Sequence, residues 1–524
     1  MKHPLRRFFR AATWLLLLSA CPSELLAEGY LYRLHLTDKA GSSYCELTER
    51  ALQRRERQSV ALDSTDLSIS PAYLAALAEK GWQLVTRSRW LNTVVVKRPD
   101  GGAISAADFD AIAFVSRVDT IDAPLPESGG DGLAASMRLA TASATGRSKW
   151  QLEEQTASAT EGDNFRKPVL EVHGEVLYNA GLRGEGMLIA VIDEAFSNLP
   201  NLPFLFDKVV GWYDCYAKPE TDSDGIFGSG THGTNVLSCM ATDTAYGVWG
   251  TATDARYFII RSEYAATETQ LEEDMWVFAA EMADSIGADL INSSLGYHSF
   301  DNPATDHTWA QLGQNEVQVS RGAAIAARKG MLLCISAGND RDQQWQKIGF
   351  PGDVAEVFTV GAVMADSVPS SFSSAGWTTP NVKPDVACRG TRSWVINAAT
   401  GLPRTGSGTS FASPTMCGLM ASLWGANTSL QPSELCRIVR ESASKAATPD
   451  SLMGYGMPDF AKALAVVNPE LSLRGFLSDG DAICSRSASA DDGARCYDLW
   501  GRPVGPSDKN GWQIVNGRMV MRRE

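Results

Sequence analysis

Asp193, His232, Asn339 and Ser410 are far apart in the chain but belong to the residue types that acyl transfer uses. A serine hydroxyl is a weak nucleophile until a base takes its proton. Histidine, which titrates near neutrality, suits that task. A carboxylate then fixes the tautomer of the imidazole and stabilises the imidazolium. A side-chain amide can meet the oxyanion, and losing such a donor costs about 3 kcal/mol of transition-state stabilisation. The surroundings fit these roles. Asp193 closes "MLIAVID", Asn339 follows "MLLCISAG", His232 stands in "GSGTHGTNVLS", and Ser410 in "RTGSGTSFASPTMCGLMASLWG". In the last stretch Pro414 suits a first helical turn, and Met416, Leu419, Met420 and Leu423 recur at helical spacing. Ser410 is therefore expected on a tight turn at a helix N-terminus, where the helix dipole favours developing negative charge. The same address suits an N-cap serine, and this stretch alone leaves both readings open.

Taken singly, each residue has a structural explanation: Asp193 could cap a turn, His232 could be a satisfied histidine, and Asn339 could supply a left-handed turn. Jointly they match in type, context and order. None of the other five histidines has comparable surroundings, and His298 and His307 are expected to be exposed beside a polar loop.

The elements that must position these residues are also legible. From about 166 to 466, short apolar runs ("MLIAVID", "RYFII", "DLINSSLG", "MLLCISAG", "VFTVGAV") alternate with helical patterns ("THGTNVLSCMAT", "QLEEDMWVFAAEMADSIG", "QVSRGAAIAARKG"). Such alternation predicts an α/β fold, a doubly wound and mostly parallel sheet with helices on both faces. Functional groups gather at the carboxyl ends of the strands in such sheets. Residues 28–122 read as a small α+β domain, with strands at "YLYRLHL" and "LNTVVVKRP" and helices at "SPAYLAALAEKGW" and "AADFDAIAFV". The run "ELTERALQRRERQS" mixes both charge signs and predicts a solvated amphipathic helix. Residues 123–165, rich in Gly, Ser, Ala and Thr, read as a linker, and 469–524 as a small β-rich or sorting segment.

Chain order separates the architectures that carry such a triad. Chymotrypsin-like sites run His, Asp, Ser; α/β-hydrolases run Ser, Asp, His; subtilisin-like sites run Asp, His, Ser. This chain has the third order, and Gly408-Thr409-Ser410-Phe411-Ala412 lacks the second glycine of a G-x-S-x-G elbow. With "GTHGT", "SGTSFASP" and "SAGN", residues 166–466 resemble a subtilisin-like serine peptidase. The resemblance implies Ser410 as nucleophile, His232 as general base, Asp193 as its orienting carboxylate and Asn339 in the oxyanion hole. It also implies a substrate cleft formed by Ser294-Leu295-Gly296 and Ser336-Ala337-Gly338, which would pair with peptide backbone as added strands and so suit protein substrates. Gly349 matches a position lining the pocket for the side chain before the scissile bond, and implies an open, uncharged pocket. The chain departs from the family at Asp193-Glu194-Ala195, where a small or hydroxyl residue and glycine are usual. A second carboxylate there either faces solvent or raises the histidine pKa and shifts the pH optimum upward. An alternative function follows from that departure, a subtilase-fold surface protein that has lost catalysis and serves in binding.

Residues 28–122, with "ERALQRRERQ" and "SRWLNTVVVK", resemble the N-terminal region of exported subtilisin-like peptidases of the Bacteroidota. That implies an intramolecular chaperone and inhibitor, released by a cut in the linker. The start agrees with export: "MKHPLRRFFR" is basic and "AATWLLLLSA" apolar, as in a signal peptide. Leu18-Ser19-Ala20-Cys21 looks like a lipoprotein processing box of a Gram-negative bacterium, with a signal of 1–20 and a lipid tether on Cys21; ordinary cleavage would remove 1–27 instead. A net charge of −14 lacks the basic footprint of a nucleic-acid binder. Of the 10 cysteines, Cys334 and Cys417 read as core residues, and Cys484 and Cys496 as the best candidate disulfide. Calcium is common in related enzymes, and Asp214, Asp222 and Asp224 lie close in sequence. However, EF-hand spacing fails at Ile226 and no closing Glu follows, so a solvated loop is expected. No cofactor is called for.

Overall fold

A computed structural model describes residues 30–122 except 101 and 104; 164–472 except 217–224, 229, 244–247 and 265–266; and backbone strands within 496–522. The signal segment, Cys21, most of the linker, Asp222, Asp224 and Cys484 lie outside the described residues. Among those described, no helix is long and apolar enough to cross a membrane.

In the N-terminal part, β1 (Leu31–Leu36), β2 (Gln83–Ser88), β3 (Thr93–Lys97) and β4 (Val115–Asp122) form an antiparallel sheet in the order β2-β3-β1-β4. With it go α1 (Glu49–Arg57), α2 (Pro71–Glu79) and α3 (Ala106–Asp110). The helix expected at "AADFDAIAFV" stops at Asp110, and its last valine begins β4 instead. The larger part is a seven-stranded sheet in the order β11-β10-β9-β8-β5-β7-β6, and every pair in it is parallel. Its strands are β5 (Leu188–Asp193), β6 (Val209–Asp214), β7 (Arg256–Arg261), β8 (Leu290–Ser293), β9 (Leu332–Ser336), β10 (Phe358–Val363) and β11 (Val386–Arg389). The helices are α4 (His232–Ala241), α5 (Gln270–Ile286), α6 (Gln318–Arg328), α7 (Thr409–Trp424), α8 (Pro432–Ser442) and α9 (Phe460–Val467), single-turn segments aside. Helices on both faces bury β5, β8, β9 and β10 completely, which is why those strands read as unbroken apolar runs. One core lies between the sheet and α4, α7 and α8, and includes Cys334 and Cys417; the other lies under α5 and α6. Strands among 496–522 form a small antiparallel sheet.

The charged helix α1 is solvated on one face only: Glu49, Gln53, Glu56 and Arg57 are exposed, while Ala51, Arg54 and Arg55 are buried. Arg54 is fully buried, and its guanidinium meets Asp284 on α5 and donates to Ala288 O at 2.5 Å. Arg55 donates to Asp284 at 2.6 Å and, through two bonds of 2.8 and 2.9 Å, to Asp66. Arg50 and Arg57 reach Asp289, Arg33 reaches Asp274 at 2.6 Å, and Lys329 at the end of α6 reaches Asp66 at 2.9 Å. Burial alone would push the Asp66 carboxyl up, but the Arg55 and Lys329 bonds more than offset it and hold it well below the ordinary range. Burial pushes the Asp274 and Glu281 carboxyls up despite their arginine partners. Between these ion pairs Leu31, Val95 and Ile121 pack on Tyr216, Leu271 and Met275. The N-terminal sheet thus sits on α5 through a mixed apolar and arginine-rich face.

Candidate active site

All four candidate residues lie at the carboxyl edge of the sheet. Asp193 ends β5 and is fully buried; His232, 2% exposed, is the first residue of α4. Two glycines make this approach fit. Gly230 has φ +89°, and a Cβ on Gly233 would stand 2.6 Å from Ala195 O. The His232 Nδ1–H donates to Asp193 Oδ1 at 2.7 Å. That bond leaves Nε2 as the basic nitrogen. Glu194 does not simply face solvent. It is half-buried, with Oε1 2.7 Å from where a Cβ on Gly230 would be.

Ser410 is the second residue of α7, and Gly408 is the N-cap, so the N-cap reading of Ser410 does not hold. The same correction moves Pro414 out of the first turn and inside the helix. An interior proline leaves the carbonyl four residues earlier without its helical donor. Here that carbonyl belongs to Ser410, and the Ser294 hydroxyl supplies the missing bond at 3.0 Å. The Ser410 hydroxyl in turn points at Ser294 O, 3.5 Å away, and the His232 ring packs 6.3 Å from that of Phe411. Asn339 Oδ1 accepts from Thr409 N at 2.9 Å and Thr409 Oγ1 at 3.0 Å. With the oxygen so held, the amide nitrogen is the end left to donate, and it lies 3.7 Å from where a Cβ on Gly408 would be.

The two cleft segments differ. Ser294-Leu295-Gly296 continues β8, and no strand pairs with it among the described residues; Tyr297 beyond it bridges Phe350. Ser336-Ala337-Gly338 is already engaged. Ala337 N donates to Val360 O, Gly338 N to Thr409 Oγ1, and Gly338 O accepts from Ser374 N. Backbone for an added strand is therefore on the 294–296 arm, with 336–338 as its facing wall. Gly349 lies against Tyr297, with its nearest neighbour 3.5 Å from an added Cβ. His298 and His307 are not loose on the surface. His307 is buried against Glu273 at 2.9 Å, and His298 stacks on Trp345 with ring centroids 4.8 Å apart. Asp214 pairs with Arg261 at 3.1 Å.

Residues 184–456 match the model of the subtilase family, Peptidase S8. The chain belongs to that family. Residues 31–131 match a second model, the Peptidase S8 propeptide domain of Bacteroidota. Subtilisin DY from Bacillus licheniformis is 28% identical over 274 residues, which are 51% of this chain and 86% of that protein. The chain spans less than half of the first two curated relatives. The chain spans 41% of a subtilase-type serine protease of Deinococcus radiodurans, at 23% identity over 55% of its own length. It spans 32% of the cuticle-degrading protease of Metarhizium anisopliae, at 31% identity over 25% of its own length. Among solved structures, the epidermin leader peptide processing serine protease of Staphylococcus aureus aligns at a TM-score of 0.56 and 16% identity, covering 84% of this chain and 99% of that one. Fervidolysin from Fervidobacterium pennivorans aligns at 0.51 and 15%, covering 84% of this chain and 62% of that one. At these identities the likeness is one of fold.

Proposed function

We propose that this subtilase is an exported serine endopeptidase acting through Asp193, His232 and Ser410. The observation that carries the reading is the buried Asp193–His232 bond of 2.7 Å, set at the same sheet edge as a helix N-terminus holding Ser410. In the reaction Ser410 Oγ attacks the peptide carbonyl while His232 Nε2 takes its proton. The Asn339 amide and the Ser410 backbone N–H receive the oxyanion. His232 then returns the proton to the leaving amine, and water hydrolyses the acyl-enzyme by the same route. Nucleophile, base and oxyanion donors all come from the chain, so no cofactor is required. The substrate backbone adds a strand to the 294–296 arm.

The N-terminal domain, docked on α5, acts as chaperone and inhibitor until the linker is cut. Export follows the N-terminal signal, with lipidation of Cys21 as a tether on the propeptide side of that cut and the surface of a Gram-negative cell as the destination. A fluorophosphonate probe on the recombinant chain, with intact mass, tests the reading. Labelling that is lost in Ser410→Ala, together with a linker cut seen only in the wild type, supports it; no labelling after forced removal of the N-terminal domain sinks it. Asn339→Ala is expected to lower kcat about 10²- to 10³-fold while KM changes little, because its donor is used in the transition state. Steady-state kinetics would show the split.

A further inference from the structure

We infer that the face of α5 beneath the N-terminal domain docks protein substrates bearing arginine and tryptophan on an exposed turn, once that domain leaves. This rests on the proposed peptidase reading. Most contacts of the domain with this face come from separate elements: Arg33 on β1, Arg54 and Arg55 on α1, Val95 on β3 and Ile121 on β4. The turn between β2 and β3 is different. There Ser88-Arg89-Trp90-Leu91, a single run of the chain, makes a complete contact of its own. The Glu281 carboxylate accepts from Ser88 Oγ at 2.6 Å, from Trp90 N at 3.0 Å and from Arg89 N at 3.2 Å. One side chain thus reads the backbone of the turn. The Arg89 guanidinium lies along the helix and donates to Glu281 O at 3.1 Å, Ser285 Oγ at 3.0 Å and Asp284 Oδ2 at 3.4 Å. Trp90 and Leu91 are buried in the same core as Trp276, Ala280 and Ala283 of α5. Turn geometry, positive charge and aromatic bulk are all read from a stretch short enough for an unrelated protein to carry.

Removing the domain takes away what satisfies this face. Among the described residues, the ion pairs of Glu281 and Asp284 are all with Arg54, Arg55 and Arg89 of the N-terminal domain. Trp276 and the alanines of the shared core lose the cover of Trp90 and Leu91 at the same time. What is uncovered is an apolar surface beside two carboxylates, and it attracts a partner of complementary character. Arginine next to tryptophan supplies both halves, and these two residue types carry much of the binding energy in protein interfaces. In the full chain the N-terminal domain masks this recruiting site, which opens when the linker is cut and the domain departs.

The test uses the full chain after self-processing and removal of its N-terminal domain. Steady-state cleavage of an unstructured protein substrate is compared with that of the same substrate carrying a grafted Ser-Arg-Trp-Leu turn away from the cleavage site. The graft is expected to raise kcat/KM roughly tenfold, through KM, because docking raises the effective concentration of the scissile segment. Glutamate in place of the grafted arginine, or alanine in place of the grafted tryptophan, should remove the gain, and so should Glu281→Gln in the enzyme. The substrate changes need no altered enzyme, and fluorophosphonate labelling of Ser410 shows whether the Glu281→Gln site is still assembled. Equal rates with and without the graft, or a gain that survives both substrate changes, overturn this inference alone. No cleavage of either substrate overturns the peptidase reading and this inference with it.

Discussion

Ser410→Ala is expected to lower kcat about a millionfold, and adding His232→Ala to that variant is expected to cost almost nothing more. In the proposed mechanism the two residues act as a unit. Once the hydroxyl is gone, the imidazole held by Asp193 has no proton to accept, so its loss goes unfelt. What remains should be a residual rate of roughly 10³- to 10⁴-fold over water, from oxyanion donors and substrate placement. That residue of activity is assigned to Asn339, whose orientation comes from Thr409 and not from Ser410. Adding Asn339→Ala to Ser410→Ala should therefore remove most of it. Single-turnover measurements on one peptide substrate would check all three variants. Independent, multiplying losses from Ser410 and His232 would mean that they do not form one catalytic unit.

How much of this could be read from the sequence depends on where each interaction partner lies. The central strands β5, β8, β9 and β10 are covered on both faces, so their residues announce burial with no long-range knowledge. Strand β6, at the sheet edge with Val210 and Trp212 exposed, has no such run, and β11 is four residues between Pro384 and Gly390; neither could be recognised. The motif residues were legible by type and order, but not the details that hold them. A proline inside a buried helix is unexpected on propensity, and the local pattern points to a first turn because Ser294, the donor that makes an interior proline tolerable, is remote in sequence. The same limit hid the role of α1. Arg54 and Arg55 in a mixed-charge run look solvated until Asp284, more than two hundred residues on, is brought against them.

Asp284→Ala, made in the full-chain Ser410→Ala variant so that no self-cleavage intervenes, is expected to weaken the hold on the N-terminal domain by about 3–5 kcal/mol. The size follows from what is left behind. Arg54 is fully buried, and Asp284 is its one direct ion-pair partner among the described residues, so the truncation leaves the guanidinium with only the longer-range attraction of Asp289. Arg55 suffers less, because Asp66 still grips it through two bonds. The expected readout is earlier hydrogen exchange in β1 and β3, whose Val95 and Leu31 pack on the α5 face, with the amides of β8 and β9 much less affected. A buried ion pair also costs desolvation, so replacing both partners with apolar side chains should recover most of the loss. Arg54→Met with Asp284→Leu is that replacement, and it leaves the Arg55–Asp66–Lys329 group intact. Protection in β1 and β3 within about 0.5 kcal/mol of the parent after Asp284→Ala alone would mean that the apolar contacts, and not the arginines, hold the domain in place.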